Sequence, residues 1–180
     1  MNGTKLAGGP TQDEIMAVSL FKMGLHSSDT VLEIGCGTGK VSVAMAKTAK
    51  RVYSLDKRAE AVSLARETAR HAGAHNIEFF CTDAVDFLKN DQVFDCAFLG
   101  GTQMLAEILP VLAKNVRRTI VINAVMVSTL ERAVSVLKEL GIFTEVVQVQ
   151  VSRSHDIAGS IMFRPIDPVF IIIARGAACS

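Results

Sequence analysis

Glycines at every second position, Gly35, Gly37 and Gly39, stand between the short apolar run Val31-Leu32-Glu33-Ile34 and an amphipathic segment. In that segment Val41, Ala44, Met45 and Thr48 recur at helical spacing, so the order is strand, glycine turn, helix. A second apolar run, Val52-Tyr53-Ser54-Leu55, ends on Asp56 and completes a βαβ unit of the nucleotide-binding type. Glycines let a backbone take positive φ and approach a ligand that any Cβ would hold off. The following helix offers unpaired N–H groups at its start. Asp56, expected at a solvent-facing strand end, can accept both hydroxyls of a ribose.

Which adenosine compound such a unit holds depends on Glu33. A dinucleotide site places pyrophosphate over a Gly-x-Gly-x-x-Gly turn. Here the spacing is Gly35-x-Gly37-x-Gly39, and a carboxylate precedes it. Glu33 would repel a pyrophosphate but suits the ammonium of an amino-acid tail. Glu33-x-Gly35-x-Gly37-x-Gly39 resembles motif I of the class I S-adenosylmethionine-dependent methyltransferases. The bland alternative, a strand-turn-helix with no ligand, accounts for the glycines but not for their company with Glu33 and Asp56.

The rest of the chain supplies the remaining strands and helices. Thr11-x-x-Glu14 reads as a capping box opening a helix to about Met23, with Ile15, Val18 and Lys22 along one side. A helix from Arg58 to His71 buries Val62, Ala65, Ala69 and Ala72, leaves Arg58, Glu67 and Arg70 solvated, and stops at Gly73. Strand Ile77–Cys81 leads to Asp83, which suits either an adenine amino group or the N-cap of a short helix, Ala84 to Leu88. Strand Phe94–Leu99 runs into Gly100-Gly101, and Met104, Leu105, Ile108, Leu109 and Leu112 then form a helical core stripe. A long apolar strand is expected from Arg117 to Val127, followed by a helix capped by Ser128 and Glu131. Phe143 to Val151 and Val169 to Ala174 read as closing strands. Residues 152–168 between them read as a long irregular loop, the kind that forms lids or contact surfaces. Gly35, Asp56, Asp83 and Gly100 all fall at carboxyl ends of strands, where a doubly wound sheet keeps its ligand crevice.

Four further features narrow the resemblance. Gly9-Pro10-Thr11-x-x-Glu14 precedes motif I by one helix, and Phe98-Leu-Gly-Gly101 follows the fourth strand. That position lacks the Asp-Pro-Pro-Tyr or Asn-Pro-Pro-Tyr of amino-methylating enzymes. The tail runs Ile157-Ala-Gly-x-x-Met162-Phe-x-Pro-x-x-Pro168-Val-Phe-Ile-Ile. With motif I these are similar to the decarboxylating precorrin methyltransferases of cobalamin synthesis, in particular the small cobalt-precorrin C15-methyltransferases. After Gly101 the chain departs from them with Thr102-Gln103-Met104.

The resemblance implies one domain over residues 1–180, an α/β fold of three layers, doubly wound around a mostly parallel seven-stranded sheet with an antiparallel C-terminal strand. It implies S-adenosylmethionine held by Thr11, Glu33, the loop Gly35-Cys36-Gly37-Thr38-Gly39, Asp56 and the Asp83-Ala84 pair. Gly100 and Gly101 would leave room for a flat macrocycle, and Arg153 and Arg164 could clamp its carboxylates. A homotetramer is implied as well. No catalytic acid, base or nucleophile is expected, because an electron-rich tetrapyrrole carbon can attack a sulfonium methyl directly. His26, His71, His75 and His155 stand in no triad-like setting, and His155 reads as a solvated loop residue.

Charge and cysteines bear on the alternatives, an RNA methyltransferase or a non-catalytic cofactor-binding module. A net charge of +1, 6% aromatic residues and no Trp offer no basic, aromatic stripe for RNA. No apolar run approaches the roughly 20 residues that span a bilayer. Cys36, Cys81, Cys96 and Cys179 show no Cys-x-x-Cys spacing, so no metal site is expected and buried thiols in the cytoplasm are.

Overall fold

In the computed structural model, which describes residues 9–90 and 92–176, the glycine turn sits in the middle of one sheet edge. Four parallel strands surround it: β1 (Thr30–Ile34), β2 (Arg51–Asp56), β3 (Ile77–Cys81) and β4 (Phe94–Leu99). Beyond β4 lie β5 (Val116–Ala124), β9 (Val169–Arg175) and β6 (Phe143–Val149). The seven-stranded order is β3-β2-β1-β4-β5-β9-β6, with β9 antiparallel to both neighbours. The order reverses between β1 and β4, which puts the crevice of a doubly wound sheet at the carboxyl ends of those two strands.

Strand alternation builds the two apolar layers. Val31, Cys96, Phe98, Val121, Ile171 and Ile173 point to the face that helices α1 (Asp13–Met23) and α2 (Lys40–Ala46) cover, where Ile15, Met23, Val41 and Met45 meet them. α3 (Ala59–His71) adds Val62, Ala65 and Ala69 against Phe79. On the opposite face Leu32, Ile34, Ala97, Leu99, Ile120 and Ile122 pack under α4 (Ala84–Leu88), α5 (Leu105–Asn115) and α6 (Val127–Glu139). At the far edge Arg118 locks the layers together. Its guanidinium donates to both Asp29 oxygens, at 2.9 and 2.8 Å, and to the Gly24 carbonyl at the end of α1.

Several expected boundaries move. Thr11 does not cap α1: Gln12 holds the N-cap position without a side-chain bond, and Glu14 turns outward to Arg153. Ala72 is exposed at the end of α3. β5 stops at Ala124 and α6 begins at Val127 behind Met126, so Ser128 lies inside the helix and caps nothing. The segment expected as an irregular loop is a hairpin, β7 (Ser152–Ile157) and β8 (Ser160–Pro165). Ala158 and Gly159 turn it with φ of 52° and 79°, the double positive φ of a type I′ turn. Cys179 lies outside the described residues.

Candidate active site

At the carboxyl ends of β1 and β4 the chain is knit by backbone hydrogen bonds. Gly35 and Cys36 N–H donate to the Leu55 carbonyl at 2.8 and 2.9 Å, so the glycine turn leans toward β2. Gly100 and Gly101 N–H donate to the Ile34 carbonyl at 2.9 and 3.1 Å, so the end of β4 leans over β1. A Cβ on Gly35 would lie 2.5 Å from the Gly101 nitrogen, and its φ is 84°. Only glycine permits the two strand ends to meet there. At Gly37 the space where a Cβ would stand is open for 4 Å.

Two adjoining clefts open at this junction. The larger, about 460 Å³, is bounded by Gly35, Asp56, Asp83, Ala84, Gly100 and Gly101, with Lys57, Arg58, Gln103 and Met104 at its walls. The smaller, about 110 Å³, runs under Gly9, Pro10 and Thr11 and is lined by Glu33, Cys36, Gly37, Thr38 and Lys40. Gly35, Gly100 and Arg58 line both. Lys40 fastens the arm: its Nζ donates to the Thr11 carbonyl at 3.0 Å and pairs with Asp13 at 2.7 Å. Gly39 closes the loop as the N-cap position of α2, lining neither cleft.

The two carboxylates occupy different environments. Glu33 is 1% exposed, and its Oε2 accepts hydrogen bonds from the Ser42 and Ser54 hydroxyls. Burial pushes its pKa up to about 7, against those two hydroxyls and with some help from the Asp56 charge. Asp56 is not the solvent-facing residue expected from sequence; it is 5% exposed. It accepts from the Gly37 N–H at 3.1 Å, from the Arg58 N–H at 3.1 Å and from the Arg58 guanidinium at 3.0 Å. Burial works against its charge, but Arg58 and these N–H groups outweigh it and hold the carboxyl below its ordinary range. Burial, then the neighbouring acids Glu33 and Asp56, drive the Cys36 thiol far up, so it is no nucleophile.

Asp83 keeps both of its readings. Its Oδ1 accepts from the Val85 N–H at 2.8 Å as the cap of α4, and it lines the larger cleft with Ala84. Arg153 and Arg164 line neither cleft. They oppose each other across the hairpin, and Arg153 grips Glu14 at the start of α1, with Nε at 3.1 Å and a second nitrogen at 2.5 Å.

Three wall residues escaped the sequence reading. Arg58, expected as a solvated helix residue, folds back on Asp56 two positions earlier. Lys57 reaches across the strand ends to Gln103, so a side chain after β2 meets one after β4. Met104 belongs to no core stripe: it is 47% exposed at the cleft, at φ 57°. Adjacency to Asp56 is the one signal that could have marked Lys57 and Arg58.

Comparison with known proteins places this geometry. A family model described as a precorrin methyltransferase domain matches residues 5–175. A probable cobalt-precorrin-6B C(15)-methyltransferase (decarboxylating) of Methanosarcina mazei is 41% identical over 175 residues, 94% of this chain and 95% of the relative. Among solved structures, precorrin-6y C5,15-methyltransferase from Geobacter metallireducens superposes with a TM-score of 0.89 at 28% identity, covering 96% of this chain and 94% of the other. Precorrin 8W decarboxylase from Methanobacterium thermoautotrophicum gives a TM-score of 0.89 at 26% identity, covering 92% and 91%.

Proposed function

This chain belongs to the precorrin methyltransferase family, and we propose that it moves a methyl group from S-adenosylmethionine to C15 of a cobalt-precorrin, releasing the C12 acetate carboxyl as carbon dioxide, as a step of cobalamin synthesis. The observation that carries this reading is the continuity of the two clefts at Gly35 and Gly100, with a buried acid on each side. A cleft so divided suits a cofactor with a cationic amino-acid end and a sugar end joined at the reacting atom.

The residues fit such a cofactor. Glu33, whose Oε2 accepts from the Ser42 and Ser54 hydroxyls, would take the ammonium. Gly35, Cys36, Gly37 and Thr38 would wrap the amino-acid tail, with Gly39 shaping the turn behind them and Thr11 and its arm closing the end. Asp56 would receive the ribose hydroxyls, with Arg58 the side chain that yields the place. Asp83 and Ala84 would border the adenine. When bound, S-adenosylmethionine supplies an electrophilic methyl on a sulfonium whose thioether is a good leaving group.

The chain's own work is alignment and exclusion of water. Gly100 and Gly101 present no side chain between cofactor and substrate, so the two can close to about 3–3.5 Å, the separation of a near-attack geometry. No side chain is asked to remove a proton before attack, and the macrocycle itself is the electron sink when the acetate loses its carboxyl. Arg153 and Arg164 would hold carboxylates of the substrate from the hairpin. We place the enzyme in the cytoplasm as a homotetramer. Among the described residues no helix is long and apolar enough to cross a membrane. The hairpin supports assembly: Ile161 and Phe163 are largely exposed on it, and a two-stranded ribbon alone is marginal in water.

Calorimetric titration tests the cofactor. S-adenosylhomocysteine should bind and NAD should not, since Glu33 repels a pyrophosphate. Tighter binding of NAD would end the methyltransferase reading for this site.

A further inference from the structure

The chain leaving β5 does not turn polar. Val125, Met126 and Val127 follow Ala124 and are 61%, 61% and 66% exposed. Met126 takes the N-cap position of α6, at φ −94° and ψ 134°, where an apolar residue is among the poorest choices. Ser128, two positions later, could have capped a helix begun further on. The segment therefore forgoes a cap and sets three consecutive apolar side chains in water.

The entry to α5 repeats the pattern. Met104 is its N-cap residue, in the left-handed region at φ 57° and ψ 34°, with no side-chain cap bond. That conformation is uncommon outside glycine and asparagine, and unusual backbone of this kind gathers at functional sites. The Met104 side chain lines the larger cleft.

These two entries lie side by side. β4 and β5 are parallel with Leu99 beside Ile122, so both chains leave the sheet at the same edge. Val125 stands three residues, at most about 11 Å of chain, beyond the residue that pairs with Leu99. α5 and α6 pack on each other behind it. Scattered exposed apolar residues need no explanation, but a run of three beside a fourth at the rim of a reaction cleft does.

We infer that Met104, Val125, Met126 and Val127 form the apolar platform on which the flat face of the tetrapyrrole lies beside Gly100 and Gly101. The inference rests on the substrate class proposed above. A precorrin presents an apolar ring face with carboxylates around its rim, and a surface that reads it must be apolar in the middle. Methionine is suited to that face, being unbranched, polarizable and able to reshape against a ring. The platform acts through positioning: it sets which carbon of the ring stands over the cofactor. Met104, the member of the patch that lines the larger cleft, ties it to substrate and not to a second copy of the chain.

The test uses the full-length protein and uroporphyrin, a flat tetrapyrrole polycarboxylate, as the optical probe. The triple variant Val125→Ser, Met126→Ser, Val127→Ser should bind uroporphyrin about tenfold or more weakly, the loss expected when such apolar area is no longer buried. Its KM for the cobalt-precorrin should rise, with S-adenosylhomocysteine affinity and melting temperature unchanged. Met126→Leu should keep wild-type binding. Unchanged uroporphyrin affinity and KM in the triple variant would overturn the platform. A fall in oligomeric mass by light scattering would overturn it too, assigning the patch to a subunit interface. Wild-type protein that binds S-adenosylhomocysteine but neither uroporphyrin nor the cobalt-precorrin would refute the substrate reading itself, and the platform with it.

Discussion

Glu33 and Asp56 are both buried acids at the same sheet edge, yet the fold treats them oppositely. In an unfolded chain Glu33 ionises around 4.5; in the fold burial raises that to about 7. Between those values the folded protein holds a proton that the unfolded chain has lost, so stability falls as pH climbs through the window. A rise of that size corresponds to about 3 kcal/mol above pH 7, at 1.36 kcal/mol per unit. Glu33→Gln should therefore melt higher than wild type at pH 8 and alike at pH 4, while losing affinity for S-adenosylhomocysteine at pH 8. Equal melting temperatures at pH 8 would mean that Glu33 carries no buried charge. Asp56, by contrast, stays ionised because Arg58 and two N–H groups outweigh its desolvation. Asp56→Ala should weaken cofactor binding by about 1.5–3 kcal/mol, the worth of charge-assisted hydrogen bonds. The same change should also lower folding stability by about 1–3 kcal/mol, since the Gly37 N–H and Arg58 lose their acceptor. Calorimetry and a denaturant midpoint measured together check both parts; a variant with normal stability would show Arg58 and Gly37 repartnered elsewhere.

At the scale of elements, the glycine turn carries a prediction that distinguishes its members. Gly35→Ala drives a Cβ into the Gly101 backbone at 2.5 Å and should cost more than about 2 kcal/mol, with the cleft distorted. Gly37→Ala meets open space and should cost only about 1–2 kcal/mol, the left-handed penalty. Comparable melting temperatures for the two would remove the close approach from the account. Elements like this one were legible because strand, turn and helix each leave a local signature, and the first four strands agree with it to within a residue or so. The hairpin was not, because Ala158-Gly159 lacks the Asn-Gly or Asp-Gly that marks such turns, and because Pro165 and Pro168 argue for irregular chain. The end of β5 was misplaced for a related reason: Val125-Met126-Val127 continues an apolar run past the point where the strand stops. Arg58 shows what sequence spacing hides, since a residue at the start of a helix can fold backward onto the strand before it. On the hairpin, Arg153→Glu with Arg164→Glu should weaken tetrapyrrole binding and leave cofactor affinity unchanged, because neither residue lines the clefts. Unchanged tetrapyrrole binding in that variant would leave Arg153 as a partner of Glu14 only.

Across the whole molecule, one sheet edge gathers every part the proposed reaction needs. The switch between β1 and β4 opens the cleft, the amino-terminal arm closes its smaller end, and the entry to α5 walls the other side. The opposite edge is occupied by the Arg118–Asp29 pair, which fixes strands and α1 and leaves the reacting edge free to be built from glycine. Light scattering should report a tetramer, in keeping with the exposed apolar hairpin. Turnover tests the proposed reaction most directly. Purified enzyme would be incubated with methyl-labelled S-adenosylmethionine, the cobalt-precorrin and total RNA, and both acceptors analysed by mass spectrometry. Label should enter the tetrapyrrole alone, with one methyl gained at C15 and one carbon dioxide lost from the C12 acetate. Label in the RNA, with the tetrapyrrole mass unchanged, would contradict it.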